Sequence, residues 1–381
     1  MTVTTPADLR EAIPVTDEVA YFNTGATGPA PDRTLDAAAA WEREQNVDLL
    51  AETDPYPVSF DEYDACRERV AAHLGVDADD LALTESTADG VSAVVAALEL
   101  GAGDVAVTTD LEHPAGTLPL ARLERRHGVE VRVVDTDRGR VDTDAFAAAV
   151  EGADLALFSS LSWTYGTRLP VAEMVDIAHD AGAFALVDAV QSPGQGPVDF
   201  GAWGADAVAA SGHKWLLGPW GTGILHVAPD AADRLHPAQV TYRSVADPAA
   251  DPYELAAGAR RFERGTASIG PFVGLRESLD LLEGVGMTTV RDRIETLAAR
   301  LVDALPDDRV LGPSEPESGL VPVDVADPEA TVERLRDRGL MLRDVPDPAA
   351  VRASVHAFNT ETEVDRLAEA LAAEPRRDDG P

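Results

Sequence analysis

The sequence predicts an α/β protein, with a large domain on a mostly parallel sheet covered by helices on both faces and a smaller C-terminal α+β domain. Three observations carry this prediction. Between residues 104 and 227, six short apolar runs alternate with stretches of helical periodicity, the pattern of strands joined by crossover helices. Beyond residue 270 the pattern changes to long amphipathic helices. The length of 381 residues exceeds that of one ordinary domain. The boundary is placed near 270, giving a large domain over 15–270 and a small domain over 271–381 that includes the N-terminal segment 1–14.

The elements follow in order. Ser59 and Glu62 have capping-box spacing and predict a helix over 61–74, with Tyr63, Cys66 and Val70 on its apolar stripe. The segment 83–90, Leu-Thr-Glu-Ser-Thr-Ala-Asp-Gly, precedes an apolar helix over 91–98. Strands are predicted at 104–108, 130–134, 155–159, 184–188, 207–210 and 222–227, with helices at 117–126, 142–150 and 171–180 between them. The Pro-, Ala- and Asp-rich stretch 245–258 reads as a loop. Helices follow at 273–283 and 288–304. A last one is predicted at 361–372, with Thr360 and Glu363 as its capping box and Val364, Leu367, Ala368 and Leu371 as its buried face. The polar tail 374–381 is expected to fray.

Composition narrows the functional classes. Thirty-one basic residues against 68 acidic ones leave a formal charge of −37. Nucleic acid and anionic membranes both require a basic face, so neither is an expected partner. Acidic residues are spread along the whole chain, and their repulsion is screened only at high ionic strength; a salt-rich, halophilic cytosol is therefore expected. The lone Cys66 excludes an intramolecular disulfide and fits a reducing compartment. No run of about 18 apolar residues predicts a membrane span, and the first residues lack a basic segment followed by an apolar one. The expected location is the cytoplasm.

The chemistry is concentrated at one position. Of the 31 basic residues, 30 are arginine and one is Lys214, in the run Ser211-Gly212-His213-Lys214-Trp215 just past an apolar strand. A lysine amine can lose its proton and attack a carbonyl, whereas a guanidinium stays protonated. Lys214 is thus the candidate for a Schiff base with pyridoxal 5'-phosphate (PLP). That cofactor needs further partners. Its pyridine nitrogen works as part of an electron sink when a carboxylate keeps it protonated, and Asp188 ends the strand Phe184-Ala185-Leu186-Val187-Asp188. Gln191, three residues on, is positioned to hydrogen-bond the ring oxygen.

A phosphate calls for backbone N–H groups and hydroxyls at a helix start, which Thr87 and Ala88 supply, with Ser211 and His213 as donors from the other side. His113 follows the strand at 104–108 and is the candidate to stack on the ring and assist proton transfer. An α-amino acid carboxylate requires a bidentate arginine. Arg352 lies in an apolar, strand-like run where a charge needs a partner, and is the best candidate.

These motifs resemble the class V aminotransferase family of PLP enzymes, which includes cysteine desulfurases, selenocysteine lyases and cystine lyases. The resemblance covers nearly the whole chain. It rests above all on Val187-Asp188-Ala189-Val190-Gln191-Ser192 and Ser211-Gly212-His213-Lys214-Trp215, with Glu112-His113 as the ring-stacking motif. Tyr21-Phe22-Asn23-Thr24-Gly25-Ala26 resembles the family's substrate loop, which brings in Asn23. The run from Arg261 to Thr266 resembles the segment that sends a Gly-Thr pair, here Gly265-Thr266, to the phosphate of a neighbouring subunit. Residues 351–360 resemble the motif with the carboxylate-binding arginine, here Arg352.

The resemblance implies fold type I with a seven-stranded sheet, homodimers with shared active sites, and a small amino-acid substrate. Two departures matter. The stretch 338–347, where desulfurases carry a catalytic cysteine, has none, and Trp163 and Tyr165 look like the bulky residues of the cystine-lyase branch, which makes Trp163 a candidate substrate contact. Ala88 also replaces a common hydroxyl residue, which leaves more of the phosphate site to the backbone. Transamination is the leading expectation, with C–S lysis next. An epimerase, a sugar aminotransferase and a non-catalytic PLP-binding scaffold are the further alternatives.

Overall fold

The computed structural model describes residues 2–377. Its centre is a seven-stranded sheet of β2 (Leu81–Thr84), β3 (Val105–Thr109), β4 (Glu130–Val134), β5 (Leu155–Ser159), β6 (Phe184–Asp188), β7 (Ala207–Ser211) and β8 (Gly223–Val227), following β1 (Ala20–Tyr21) in the chain. The spatial order is β2-β8-β7-β6-β5-β3-β4. Only β8 runs against its neighbours; the pairs among β3 to β7 are parallel.

Every residue of β3 and of β5 to β8 is buried, as near-continuous apolar strands with helices on both faces must be. The edge strand β4, Glu-Val-Arg-Val-Val, is partly exposed and carries a Glu130–Arg132 ion pair, which blunts edge-to-edge pairing. The other edge, β2, is buried, and the turn Gly258–Phe262 packs against it.

The small C-terminal sheet contains β9 (Leu320–Val323), β11 (Arg343–Pro346) and β12 (Ala349–Ser354), antiparallel in the order β11-β12-β9. The helices Met287–Asp303 and Glu361–Ala372 cover it through a core that includes Leu297, Leu301, Val364 and Leu367. The Thr360–Glu363 capping box forms as expected, with both reciprocal bonds present; such a cap contributes about 1 kcal/mol. The short strand β10 (Leu340–Met341) pairs in parallel with β1, and Asn23 bridges to Ser354. The N-terminal segment is therefore stitched to the small sheet before the chain enters the large one. Arg10, on the helix Pro6–Glu11, clamps Glu363 at 2.9 Å.

Several expectations are corrected. Ser59 and Glu62 are not a capping box. The helix spans Pro55–Leu74, capped by Asp54, which accepts from the Tyr56 N–H with Pro55 in the first turn. Asp54-Pro55 is the stronger start signal, since proline needs no N–H donor there. Ser59 lies inside the helix and takes a bond from Gln45 Nε2. The strand β2 (Leu81–Thr84) is not among the six predicted strands, its four residues being too few to show a period.

Pro114 opens the helix Pro114–His127, three residues before its expected start, and His113 caps it. The tail does not fray at Glu374 and Pro375: Pro375 accepts from the Ala326 N–H and Glu374 pairs with Arg334. Residues 378–381 of the expected frayed tail lie outside the described residues.

Candidate active site

The parallel strands all deliver their carboxyl ends to one edge of the sheet, where ligands of such sheets bind. β3 leads to His113, β5 to Trp163, β6 ends at Asp188, and β7 ends three residues before Lys214. From the small sheet, Arg343 on β11 and Arg352 on β12 reach the same place. These residues line one cavity of about 210 Å³, together with Thr87, Ala88, Gln191, Ser211 and His213.

The local geometry explains how the loops converge. The turn after β2 must pass over the start of β8 to reach β7. A Cβ at Gly223 would stand 2.2 Å from the Ser86 nitrogen, so only glycine lets the loop lie there. Ser86 caps the helix Thr87–Ala97 by accepting from the Asp89 N–H, and the Thr87 N–H donates to Ser211 Oγ at 2.8 Å. The Ala88 N–H has no protein acceptor among the described residues. On the other side, a Cβ at Gly28 would collide with the Lys214 carbonyl at 2.0 Å, and the Gly28 N–H donates to the His213 carbonyl.

Lys214 is partly buried on the cavity wall and makes no side-chain hydrogen bond among the described residues. Its amine is pushed down to about 8 by burial first and by the Arg352 charge second, against the opposing pull of Asp188. Asp188 is buried, accepts from the Val190 N–H at 3.0 Å, and is raised above the usual carboxylate range by desolvation. His113 Nδ1 takes the Ala115 N–H at 3.2 Å, which assigns its proton to Nε2. Burial and the neighbouring Lys214 charge hold its imidazole down to about 4, so it is neutral at physiological pH. His213 is likewise neutral, for the same two causes. Trp163 meets the His113 ring edge-on at 5.1 Å.

Gln191 is more constrained than the sequence implied. Its Oε1 accepts from Trp215 Nε1 at 2.7 Å, and its Nε2 donates to the Gly25 carbonyl at 3.0 Å, which leaves one N–H for a ligand.

Arg352 is fully buried and donates through Nη1 to the Trp163 carbonyl at 2.7 Å. Its Nε and Nη2 have no acceptor. Its guanidinium is lowered to about 9 by burial and by Arg343. A buried cation left short of partners marks a site for an anion.

Two sequence candidates lie elsewhere. Asn23 does not line the cavity; Gly25 and Ala26 do, while Asn23 Oδ1 is buried without a partner. Thr266 lines a different cavity, beside Tyr56 and Phe60, and bonds to the Tyr242 hydroxyl at 2.6 Å. Cys66 also lies away from the site, buried in the helix Pro55–Leu74 with its thiol pushed up to about 12 by desolvation.

The sequence reading missed Arg343, whose signal was the alternation of buried Leu340 and Leu342 with more open Met341 and Arg343. It also left no role for Glu112. That buried carboxylate accepts from Thr109 Oγ1, the Ser159 N–H and Ser159 Oγ, and is raised to about 7 by burial, tying the His113 turn to β5.

A partly buried amine without a partner, a buried carboxylate in the same cavity, a free N–H at a helix start and an underused guanidinium fit PLP carrying an amino-acid substrate. The comparisons agree. Residues 20–367 match the family described as Aminotransferase class-V. A probable cysteine desulfurase of Methanothermobacter thermautotrophicus is 31% identical over 96% of both chains. An isopenicillin N epimerase of Streptomyces clavuligerus is 32% identical over 93% of this chain and 94% of that one. The cystine C–S lyase C-DES, in complex with its product cysteine persulfide, superposes with a TM-score of 0.88 at 27% identity, covering 95% of this chain and 100% of that one. A variant of C-DES has glycine covalently linked to the PLP cofactor.

The fold and the comparisons together define a PLP-dependent enzyme of fold type I. The chain belongs to the class-V aminotransferase family. No helix among the described residues is long and apolar enough to cross a membrane.

Proposed function

We propose that this enzyme is a C–S lyase that acts on a small α-amino acid without a persulfide-forming cysteine. The observation that carries the reading is the convergence of Lys214, Asp188 and the underused Arg352 in a cavity with no cysteine. The names of the desulfurase and C–S lyase relatives support sulfur chemistry. The single cysteine, buried and with a raised thiol, speaks against the desulfurase route. Transamination, the leading expectation from sequence, uses the same residues and gains no support from the relatives' names. Epimerisation is the second reading, favoured by the isopenicillin N epimerase relative.

PLP, when bound, supplies a carbonyl for covalent capture and a ring that accepts electron density. The roles of this chain's residues follow from their surroundings. Lys214 would hold the cofactor through its amine and, when free, would take the Cα proton, as a base with pKa near neutrality does best. Asp188 would favour the protonated pyridine nitrogen. Gln191 would offer its remaining N–H to the ring oxygen. Thr87, Ser211, His213 and the Ala88 N–H would receive the phosphate, and His113, held edge-on by Trp163, would stack on the ring. Arg352 takes the α-carboxylate, and Asn23 shapes the loop that carries Gly25 and Ala26 into the cavity.

A homodimer completes the reading. Thr266 stands outside its own chain's Lys214 cavity, and the large apolar side chains Trp220 (75% exposed), Leu50, Tyr56 and Tyr242 are exposed. Light scattering should give twice the chain mass.

The deciding experiment incubates holoenzyme in molar KCl with L-cystine, L-cysteine, L-alanine and L-glutamate. Pyruvate, ammonia and a persulfide or sulfide product, with the cofactor spectrum restored, establish the lyase. Accumulation of pyridoxamine phosphate that a keto acid reverses establishes transamination instead, and loss of optical activity without products establishes epimerisation.

A further inference from the structure

Arg343 and Arg352 stand side by side in the Lys214 cavity of a chain with 68 acidic residues, and among the described residues no carboxylate meets either. Several other arginines do find carboxylates, as Arg67 and Arg243 pair with Asp64 and Glu263 and Arg69 with Asp280 and Glu283, while Arg309, away from the cavity, is satisfied by backbone carbonyls. Arg343 donates from Nε to the Asp344 carbonyl at 3.1 Å, and neither of its Nη atoms has a protein acceptor. Arg352 donates only to the Trp163 carbonyl.

The two are also directly opposite in the antiparallel register of β11 and β12. Residues so paired put their side chains on the same face of a sheet, where like charges repel. Both line the Lys214 cavity. A single α-carboxylate neutralises one of these guanidiniums and leaves the other facing the ligand.

We propose that Arg343 is a specificity-determining residue that binds a second carboxylate, on the substrate's side chain, so that the site takes dicarboxylic α-amino acids. The inference rests on the reading of Arg352 as the anchor of the α-carboxylate. Two anions on one substrate then match two cations on adjacent strands, and a substrate with one carboxylate leaves the partly exposed Arg343 without an ion-pair partner.

Dissociation constants of the holoenzyme and its Arg343→Gln and Arg352→Gln variants, read from the cofactor absorbance, test this with L-aspartate, L-glutamate and L-cystine against L-alanine and L-cysteine. Calorimetric titration with glutarate and butyrate, which lack the amine, reports binding without reaction, and an unchanged melting temperature shows that each variant is folded. The wild type should bind at least one dicarboxylic amino acid about tenfold or more tightly than L-alanine, and glutarate more tightly than butyrate, with R343Q abolishing both preferences. If R343Q weakens both classes by the same factor, Arg343 shares the α-carboxylate with Arg352 and the proposal falls. A wild type without preference for a second carboxylate also overturns it. If R352Q leaves L-alanine binding unchanged, the anchor reading is what has failed, and the proposal fails with it.

Discussion

Trp215 Nε1 donates to Gln191 Oε1 at 2.7 Å, with both residues buried. The bond ties the residue after Lys214 to the turn that follows Asp188, so the two cofactor-facing segments share one strut. Trp215 also stacks on His356 (5.9 Å, 19°), and its carbonyl accepts from His356 Nε2 at 3.1 Å, extending the strut to the segment that follows β12. Trp215→Phe keeps the packing but leaves Gln191 Oε1 without its donor, at a cost of roughly 1–3 kcal/mol. A lower denaturant midpoint, together with a shifted cofactor absorbance, is expected. A midpoint equal to that of wild type would show that the bond carries no net stability.

The Lys214 amine, lowered to about 8 by burial and Arg352, sets a pH dependence. Only the neutral amine attacks the cofactor carbonyl. Capture of PLP by apo-protein should therefore slow as pH falls below about 8 and level off above it, and Lys214→Ala should lose the covalent band altogether. Stopped-flow absorbance measures the rate. An inflection near 10 would mean that the amine is solvated rather than buried.

Arg352→Ala should raise KM for an α-amino acid about a hundredfold, since two charge-assisted bonds are lost. Arg352→Lys should recover only part, because an ammonium cannot reproduce the bidentate fork. Steady-state kinetics with an α-amino acid and its decarboxylated amine would check this; equal losses for both would remove the carboxylate role.

Gly223→Ala should weaken PLP binding, because its Cβ would meet the Ser86 nitrogen at 2.2 Å and Thr84 Oγ1 at 2.3 Å, pushing the turn before Thr87 off β8. Equilibrium dialysis should show at least a tenfold higher Kd. Unchanged affinity would mean that the turn relaxes without disturbing the N–H groups at the helix start.

A net charge of −37 makes folding salt-dependent. Screening at molar KCl shortens the Debye length to about 3 Å, so the melting temperature should rise steadily from low salt to molar KCl. A flat profile would remove the halophilic reading of the composition.

Much of the site was legible in the chain because each of the parallel strands β3, β5, β6 and β7 is a short, largely apolar run ending in a polar residue. Asp188 closes Phe-Ala-Leu-Val, and Lys214 follows Ala-Val-Ala-Ala-Ser. Position at the carboxyl end of a buried strand then does the functional sorting. Arg343 was hidden for the opposite reason. It matters through its cross-strand pairing with Arg352, and register between strands is a tertiary fact that one short alternating segment does not encode. The Ser59–Glu62 error was local: two start signals lay a turn apart, and the one with proline prevailed. Arg352 was readable because an arginine in an apolar strand is conspicuous, whereas the shortage of acceptors around it needed coordinates.

The presence of a single lysine has a practical consequence. Apart from the chain's α-amino group, Lys214 Nζ is the one primary amine that an amine-directed reagent can meet in this sequence. Hydride trapping of a carbonyl compound therefore has one side-chain target. A peptide map that separates the N-terminal peptide from the one that carries Lys214 reads cofactor occupancy without background from other lysines.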